Sequence, residues 1–186
     1  RPTATGWRVR TDDGPLDAEH AVVALGPWAD LLLRPLGYRL PLFVKRGYHR
    51  HHAGTPGPRL PLYDVARGLV IAPMRRGVRI TTGAEFARRD APATPWQLGR
   101  AEAHARELLD LGEPVEPQPW LGGRPCTADM KPVIGPAPRH RGLWFNFGHA
   151  HQGFTLGPVS GRLLAELIDG EAPLVDPTPY SAQRFP

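Results

Sequence analysis

The feature that most constrains this chain is a strand, a glycine loop and a helix near its C-terminus. The segment over residues 143–170 reads LWFNFGHAHQGFTLGPVSGRLLAELIDG. Its apolar start predicts a buried strand, and the helix after the glycine loop is expected to end at about Asp169, with Gly170 as its stop. Glycines let backbone approach a ligand, and a helix start points free N–H groups at it. The loop therefore either faces a ligand or is an ordinary connection whose glycines only make turns.

The rest of the pattern predicts a mixed α+β fold. Residues 41–84 hold strand-like runs separated by Gly/Pro turns, which indicates an antiparallel sheet. A helix that opens at Thr94-Pro95 and reaches about Leu111 is expected to follow the sheet, with Gly112 ending it. Before the sheet, the pattern predicts two strands and a short helix, over residues 7–11, 20–25 and about 27–36.

Composition excludes several classes of protein. A hydrophobic fraction of 41% excludes disorder, although 21 glycines and 23 prolines among 186 residues predict many loops. The lone Cys126 excludes an intrachain disulfide and fits a reducing compartment, so a cytoplasmic location is expected. No apolar run approaches the roughly 20 residues that span a bilayer. The start, RPTATGWRVRTDDG, has neither an initiating Met nor a signal segment and resembles the middle of a longer chain.

The chain is basic, with a formal net charge of +5 and a sequence pI near 10.0. Of its 23 basic residues only Lys45 and Lys131 are lysines, and the arginines are scattered rather than gathered on one stripe. Such scattering is typical of a solvated surface, so nucleic-acid binding is not expected. An arginine pocket for a small carboxylate or phosphate is favoured instead.

Two histidine clusters raise the question of a metal. His149 and His151 lie two residues apart, and a second cluster contains His49, His51 and His52. No Cys pair, HExxH spacing or nearby carboxylate set accompanies them, so no metal site is predicted. The first pair is interpreted as loop-orienting or ligand-facing, and HRHH as a solvated or partly buried polar edge.

Arg124 stands in a rigid frame, Gly122-Gly123-Arg124-Pro125. A fixed guanidinium suits bidentate capture of a carboxylate, although the same arginine could satisfy loop carbonyls. Nucleophilic catalysis finds no support, because Ser160 lies inside the last predicted helix without a GxSxG elbow and Cys126 has no evident base.

Several short pieces of the sequence form one pattern, in order and at regular separations. They are VVALGPW (22–28), KRGY (45–48), GRPCTAD (123–129), PVIG (132–135), LWF (143–145) and GHAHQGFTLGP (148–158). With these pieces the chain resembles the flavoenzyme family of D-amino acid oxidases, D-amino acid dehydrogenases and glycine oxidases. The resemblance implies the C-terminal part of a two-domain FAD/NAD(P)-binding-type flavoenzyme. Residues 1–40 and 123–186 would belong to the FAD-binding domain, and 41–122 would form the substrate domain with the antiparallel sheet and helix 95–111.

The resemblance implies an activity and a set of site residues. FAD in this family oxidises the Cα–N bond of a D-amino acid or glycine-like amine by hydride transfer to the flavin, and the imine hydrolyses to a 2-oxo acid. Such chemistry asks for no catalytic acid–base dyad, because the cofactor performs the hard step. The implied substrate contacts are Arg124, His151 and Tyr48. The implied cofactor contacts are Gly26, Trp28, Arg46, His149, Ala150, His151, Gln152, Gly153, Phe154 and Thr155.

The resemblance leaves details of the substrate side open. His151 stands where glycine-oxidase-like members can carry an arginine, Tyr48 and Tyr63 could equally be core, and Arg46 could instead pair with Asp64. Glycine, sarcosine, D-alanine, D-proline and hydroxyproline-like substrates all fit, as do oxygen and a quinone as electron acceptors.

One departure from the family is large, because no GxGxxG occurs in the 186 residues. In the family this turn opens the unit that holds the ADP part of FAD. The missing half is expected in the same or another chain, and the 186 residues alone are expected to be inactive and prone to self-association. The alternative is a non-catalytic remnant or subunit that binds a partner chain or a small anionic metabolite.

Overall fold

The computed structural model describes residues 1–54 and 57–185, which form two compact units. The first unit joins Arg1–Phe43 to the chain from Arg124 onward, and the second is Val44–Gly123. Their assignment to FAD-binding and substrate domains remains a prediction. The strands and helices are, in chain order, β1 (Trp7–Thr11), β2 (Gly14–Ala18), β3 (Ala21–Val23), α1 (Ala29–Leu33), β4 (Leu42–His52), β5 (Leu62–Asp64), β6 (Leu69–Met74), β7 (Gly77–Phe86), α2 (Trp96–Leu108), β8 (Trp120–Thr127), β9 (Val133–Pro136), β10 (Leu143–Phe147) and α3 (Gly153–Asp169).

A three-stranded sheet in the order β3-β10-β9 organises the first unit. Every second residue of β10 is buried, as the strand period of two requires, and Leu143, Phe145 and Phe147 pack with Val23 in one hydrophobic cluster. Strand β10 runs parallel to β3 and antiparallel to β9. The carboxyl ends of β3 and β10 therefore meet at one edge of the sheet, and the segments that follow both strands leave from that edge.

The second unit is a five-stranded sheet, in the order β5-β6-β7-β4-β8, with α2 packed against it. Leu98, Ala101 and Ala105 of α2 are buried with Tyr48 and Ile80 of the sheet. The antiparallel pairs β5–β6, β6–β7 and β4–β7 confirm the predicted antiparallel sheet.

The HRHH run of β4 is a partly buried polar strand rather than a solvated one. Arg50 donates two hydrogen bonds of 2.8 Å to the Glu102 carboxylate of α2, and His52 contacts the same carboxylate at 3.2 Å. His51 Nδ1 lies 2.9 Å from Glu116 Oε1. These side chains hold the second unit together.

Several element boundaries differ from the sequence prediction. The strand that pairs with β1 is Gly14–Ala18, because Gly14 adopts a positive φ of 111° and turns the chain back within two residues. The helix expected over 27–36 is a 3-10 turn (Gly26–Trp28) followed by the short α1. Helix α2 ends at Leu108, since Leu109 is extended.

Helix α3 begins inside the predicted glycine loop. Its first residue is Gly153, so the loop itself is limited to Gly148–Gln152. Its end agrees with the prediction, because Gly170 adopts a left-handed φ of 72° and donates its N–H to the Glu166 carbonyl.

Candidate active site

Three predicted site segments meet at the carboxyl edge of β3 and β10. The Ala150 N–H donates to the Pro125 carbonyl oxygen at 2.8 Å, and His149 forms a backbone bridge with Cys126. A Cβ built on Gly26 would lie 3.8 Å from Pro125 Cγ. We call this place the junction site and define it by Gly26, Arg124–Cys126 and His149–Thr155. In open α/β sheets, ligands bind at this kind of edge.

The start of α3 offers hydrogen-bond donors to the junction site. Gln152 occupies the N-cap position without a side-chain hydrogen bond, and the first turn contains no acidic residue. The backbone N–H groups of Gly153, Phe154 and Thr155 have no partner within the helix, as at every helix start, and they carry its partial positive charge. The side chain of Phe154 is fully exposed. This end of α3 can therefore receive an anion or the polar edge of a ring.

The loop that leads to α3 is held in an unusual backbone conformation. Gly148 has φ 85° and Ala150 has φ 52°, although left-handed backbone is costly for a residue with a Cβ. A Cβ on Gly148 would lie 3.1 Å from the Thr127 methyl. The close packing between this loop and the end of β8 thus requires glycine at 148, and the left-handed Ala150 is a second strained position of the same loop.

His149 is the titratable group at the centre of the loop. Its Nε2 lies 3.0 Å from the Ser160 hydroxyl oxygen, and that hydroxyl bonds to the Gly157 carbonyl at 3.1 Å. Burial lowers the pKa of the His149 imidazole below its ordinary value. Because water is excluded from one side of the ring, the neutral imidazole is the favoured form near neutral pH.

Arg124 is half-buried at the junction site. Burial lowers the pKa of its guanidinium, which still keeps its charge at any physiological pH. A partly desolvated guanidinium gains more from an anionic partner than an exposed one does. The segments that meet here thus contribute two positive groups, the Arg124 guanidinium and the start of α3.

Two predicted ligand contacts in the second unit are occupied by protein groups. Arg46 is 1% exposed, and its nitrogens donate to Glu85 Oε2 at 2.6 Å and to the carbonyl oxygens of Ala91 and Pro92. The Tyr48 hydroxyl, also buried, donates to the same Glu85 oxygen and accepts from the Thr94 N–H. Both side chains thus make hydrogen bonds that stabilise the second unit. Their contact with a ligand remains a prediction that this geometry does not support.

The alternative pairing of Arg46 with Asp64 is wrong. Asp64 is bonded to Arg67 at 3.0 Å within the turn after β5. Glu85 lies opposite Arg46 in the β4–β7 register, so the sheet itself brings that pair together. Arg46, with Tyr48 and Thr94, lowers the pKa of Glu85 to about 2.

The remaining predicted contacts are open to solvent. Trp28 is 55% exposed, and His151 and Gln152 are exposed beside the start of α3. Sequence reasoning missed Ser160 as the partner of His149. Its only signal is the spacing of Gly153, Gly157 and Ser160, which puts small residues on one face of the helix.

The described residues hold neither a metal cluster nor a membrane-spanning helix. Across 1–54 and 57–185, no group of three or more His, Cys, Asp or Glu side chains could hold a metal ion. Within those ranges, too, no helix is both long and apolar enough to cross a membrane.

Known proteins share both the sequence and the fold. A family model described as "DAO: FAD dependent oxidoreductase" matches residues 1–167. Glycine oxidase of Pseudomonas putida is 36% identical over 94% of this chain and 48% of its own length. D-amino acid dehydrogenase of Paramagnetospirillum magneticum is 34% identical over 94% and 42%. An uncharacterised oxidoreductase of Halorhodospira halophila is 33% identical over 95% and 83%.

Two solved structures match the fold at high similarity. Glycine oxidase from Geobacillus kaustophilus superposes with a TM-score of 0.78 at 27% identity, over 100% of this chain and 51% of that one. Iminodiacetate oxidase from Chelativorans sp. BNC1 gives a TM-score of 0.78 at 27% identity, over 97% and 51%. The chain spans about half the length of these enzymes.

The fold and the sequence matches together define the class of protein, the FAD-dependent oxidoreductases with mixed α+β architecture. The chain belongs to the DAO family of FAD-dependent oxidoreductases. The predicted family, fold class and cofactor are thereby confirmed. The junction site fits the ring end of FAD, because the uncapped N–H donors of α3 lie there and the segment bonded to the loop carries the half-buried cation Arg124.

Proposed function

We propose that this chain supplies the flavin-ring and substrate side of an enzyme that oxidises the Cα–N bond of a D-amino acid or a glycine-like amine. The observation that carries the proposal is the junction site, where the start of α3 and the Arg124 segment are tied by the Ala150–Pro125 hydrogen bond. Relatives named glycine oxidase and D-amino acid dehydrogenase support the substrate class.

The chemistry asks this chain to bind and orient rather than to transfer protons. When bound, FAD supplies the two-electron acceptor for a hydride from the substrate Cα, while the amine loses a proton and becomes an imine. Water then converts the imine to a 2-oxo acid and ammonia. The N–H groups at the start of α3 stabilise negative charge that develops on a ring edge placed before them.

Arg124 takes the carboxylate of the substrate in this proposal. A guanidinium fork matches a carboxylate in two parallel hydrogen bonds, which fixes the Cα relative to the ring. His149 stays neutral and adds no second fixed charge, and exposed His151 provides a second polar contact. A substrate with a single carboxylate fits this arrangement.

The ADP part of FAD has no GxGxxG turn to bind within these 186 residues. In the proposed enzyme that turn comes from the same or another polypeptide, and the 186 residues provide the ring side of the site. The proposed activity is a property of that complete assembly.

Arg124→Leu in the flavin-containing enzyme tests the proposal, with Arg124→Lys as the control that keeps a charge without the fork. Loss of a charge-assisted hydrogen bond costs roughly 1.5–3 kcal/mol, so kcat/KM for the amino acid should fall by about 10- to 150-fold. The lysine variant should lose less, and both should keep their flavin. Unchanged amino-acid oxidation by Arg124→Leu would refute the assignment.

A further inference from the structure

One face of α3 is made of small residues, and the His149 side chain contacts two of them, Gly153 and Ser160. Gly153, Gly157 and Ser160 follow each other at separations of four and three, which places them on one side of the helix. A Cβ built on Gly153 would lie 3.4 Å from His149 Cβ, and His149 Nε2 reaches the Ser160 oxygen. The His149 side chain therefore packs against the N-terminal part of α3, with its Cβ beside Gly153 and its Nε2 at Ser160.

The direction of the hydrogen bond between His149 and Ser160 follows from the second bond of the hydroxyl. A serine hydroxyl has one proton, and that of Ser160 is donated to the Gly157 carbonyl at 3.1 Å. Ser160 must then accept, so His149 donates its Nε2–H across the 3.0 Å separation. In the neutral ring the proton is on Nε2, and Nδ1 is left as an acceptor.

Ser160 is 4% exposed, so water cannot readily replace its oxygen. Burial is also the cause that lowers the pKa of His149. A ring that loses the Ser160 acceptor would keep a buried N–H without a partner, which is costly enough to drive the ring toward solvent.

The backbone of His149 is tied to the segment that carries Arg124. His149 bridges Cys126, and the next residue donates its N–H to Pro125. Pro125 and Cys126 follow Arg124 directly. A continuous series of contacts therefore joins the Ser160 hydroxyl, the imidazole, the loop backbone and the Arg124 segment.

We propose that Ser160 is a positioning residue of the junction site. By accepting the Nε2–H of His149 it holds the imidazole along α3, leaves Nδ1 as an acceptor and fixes the loop backbone against the Arg124 segment. The inference rests on the proposed function for the identity of the ligand, whereas the orientation of His149 is measurable in the 186-residue chain without flavin.

The test compares Ser160→Thr with Ser160→Val, two substitutions of nearly equal shape of which one keeps the hydroxyl. The readout is the pair of ring ¹⁵N chemical shifts of His149, followed through a pH titration of the 186-residue chain. Wild type and Ser160→Thr should show the proton on Nε2 and a pKa below the ordinary value of about 6.5. In Ser160→Val the fixed tautomer should be lost and the pKa should rise toward that ordinary value.

Two NMR outcomes would overturn the proposal. A valine variant with wild-type shifts would show that the hydroxyl does not hold the ring. If the His149 shifts of Ser160→Thr differ from wild type as much as those of Ser160→Val, packing and not the hydrogen bond orients the imidazole.

The flavin-containing enzyme gives a second readout. Misplacing a group by about 1 Å can cost on the order of 100-fold in rate, so Ser160→Val should lower kcat/KM for the amino acid by up to about 100-fold while Ser160→Thr should not. An altered His149 with an unaltered kcat/KM would refute the link to Arg124. Failure of the proposed function is a separate result. If Arg124→Leu leaves amino-acid oxidation unchanged, the proposed function is refuted, while the His149 shifts of the two Ser160 variants still decide whether Ser160 positions the ring.

Discussion

Substitution of Gly148 by alanine tests the backbone geometry on which the junction site depends. At φ 85° a residue with a Cβ pays about 1–2 kcal/mol for left-handed backbone. The new Cβ would also lie 3.1 Å from the Thr127 methyl. Thr127 is fully buried and its hydroxyl bonds to the Lys131 carbonyl at 2.6 Å, so the methyl cannot turn away freely. Such overpacking adds about 1–2 kcal/mol.

Together these costs predict that Gly148→Ala lowers the free energy of unfolding by about 2–4 kcal/mol. Urea denaturation followed by circular dichroism measures the change. Ala150→Gly, two residues away in the same loop, is the matched control, because it relieves left-handed backbone at φ 52° instead of imposing it. Its free energy of unfolding should stay within about 1 kcal/mol of wild type, since relieved strain is offset by the entropy of the new glycine. If Gly148→Ala is as stable as wild type, or if Ala150→Gly is equally damaging, the loop does not have this conformation.

Two further predictions concern acid stability and cofactor affinity. Glu85, with a pKa of about 2 against an ordinary 4.5, should stabilise the fold by roughly 2–3 kcal/mol above pH 4.5, an effect that is lost as the pH falls through 2. In urea titrations Glu85→Gln should therefore be less stable than wild type at pH 7 but nearly equal to it near pH 2. The control Glu113→Gln, at an exposed position, should match wild type at both pH values. Equal stability of Glu85→Gln and wild type at pH 7 would contradict this account. FAD titrated into the 186-residue chain should bind with a dissociation constant above about 1 μM, because no GxGxxG turn is present to hold its pyrophosphate. Sub-micromolar, stoichiometric binding by a monomer would show that the affinity for FAD does not depend on that turn.

The same preparation tests the expected self-association. Val22 and Leu25, in and just after β3, are each 46% exposed, and β3 is an edge strand of its sheet. An edge with exposed apolar side chains favours pairing with another chain.

The sequence alone determined the features that depend on neighbouring residues. The apolar run Leu143–Phe147 predicted a strand, and Gly170 predicted the end of α3. The order of short motifs also identified the family. Local propensity and side-chain period suffice for such features, since the residues that decide them lie within a few positions of each other.

Only the tertiary structure decided which side chains are committed to protein partners. Arg46 looked free to bind a ligand, yet it is bonded to Glu85, 39 residues away, because the β4–β7 register places the two side by side. Ser160 looked inert, yet helix α3 carries its hydroxyl to the imidazole of His149. Partners of this kind are set by register and by the packing of helix on loop, which no local pattern encodes. The sequence therefore pointed to the segments of the junction site but not to the contacts that hold them together.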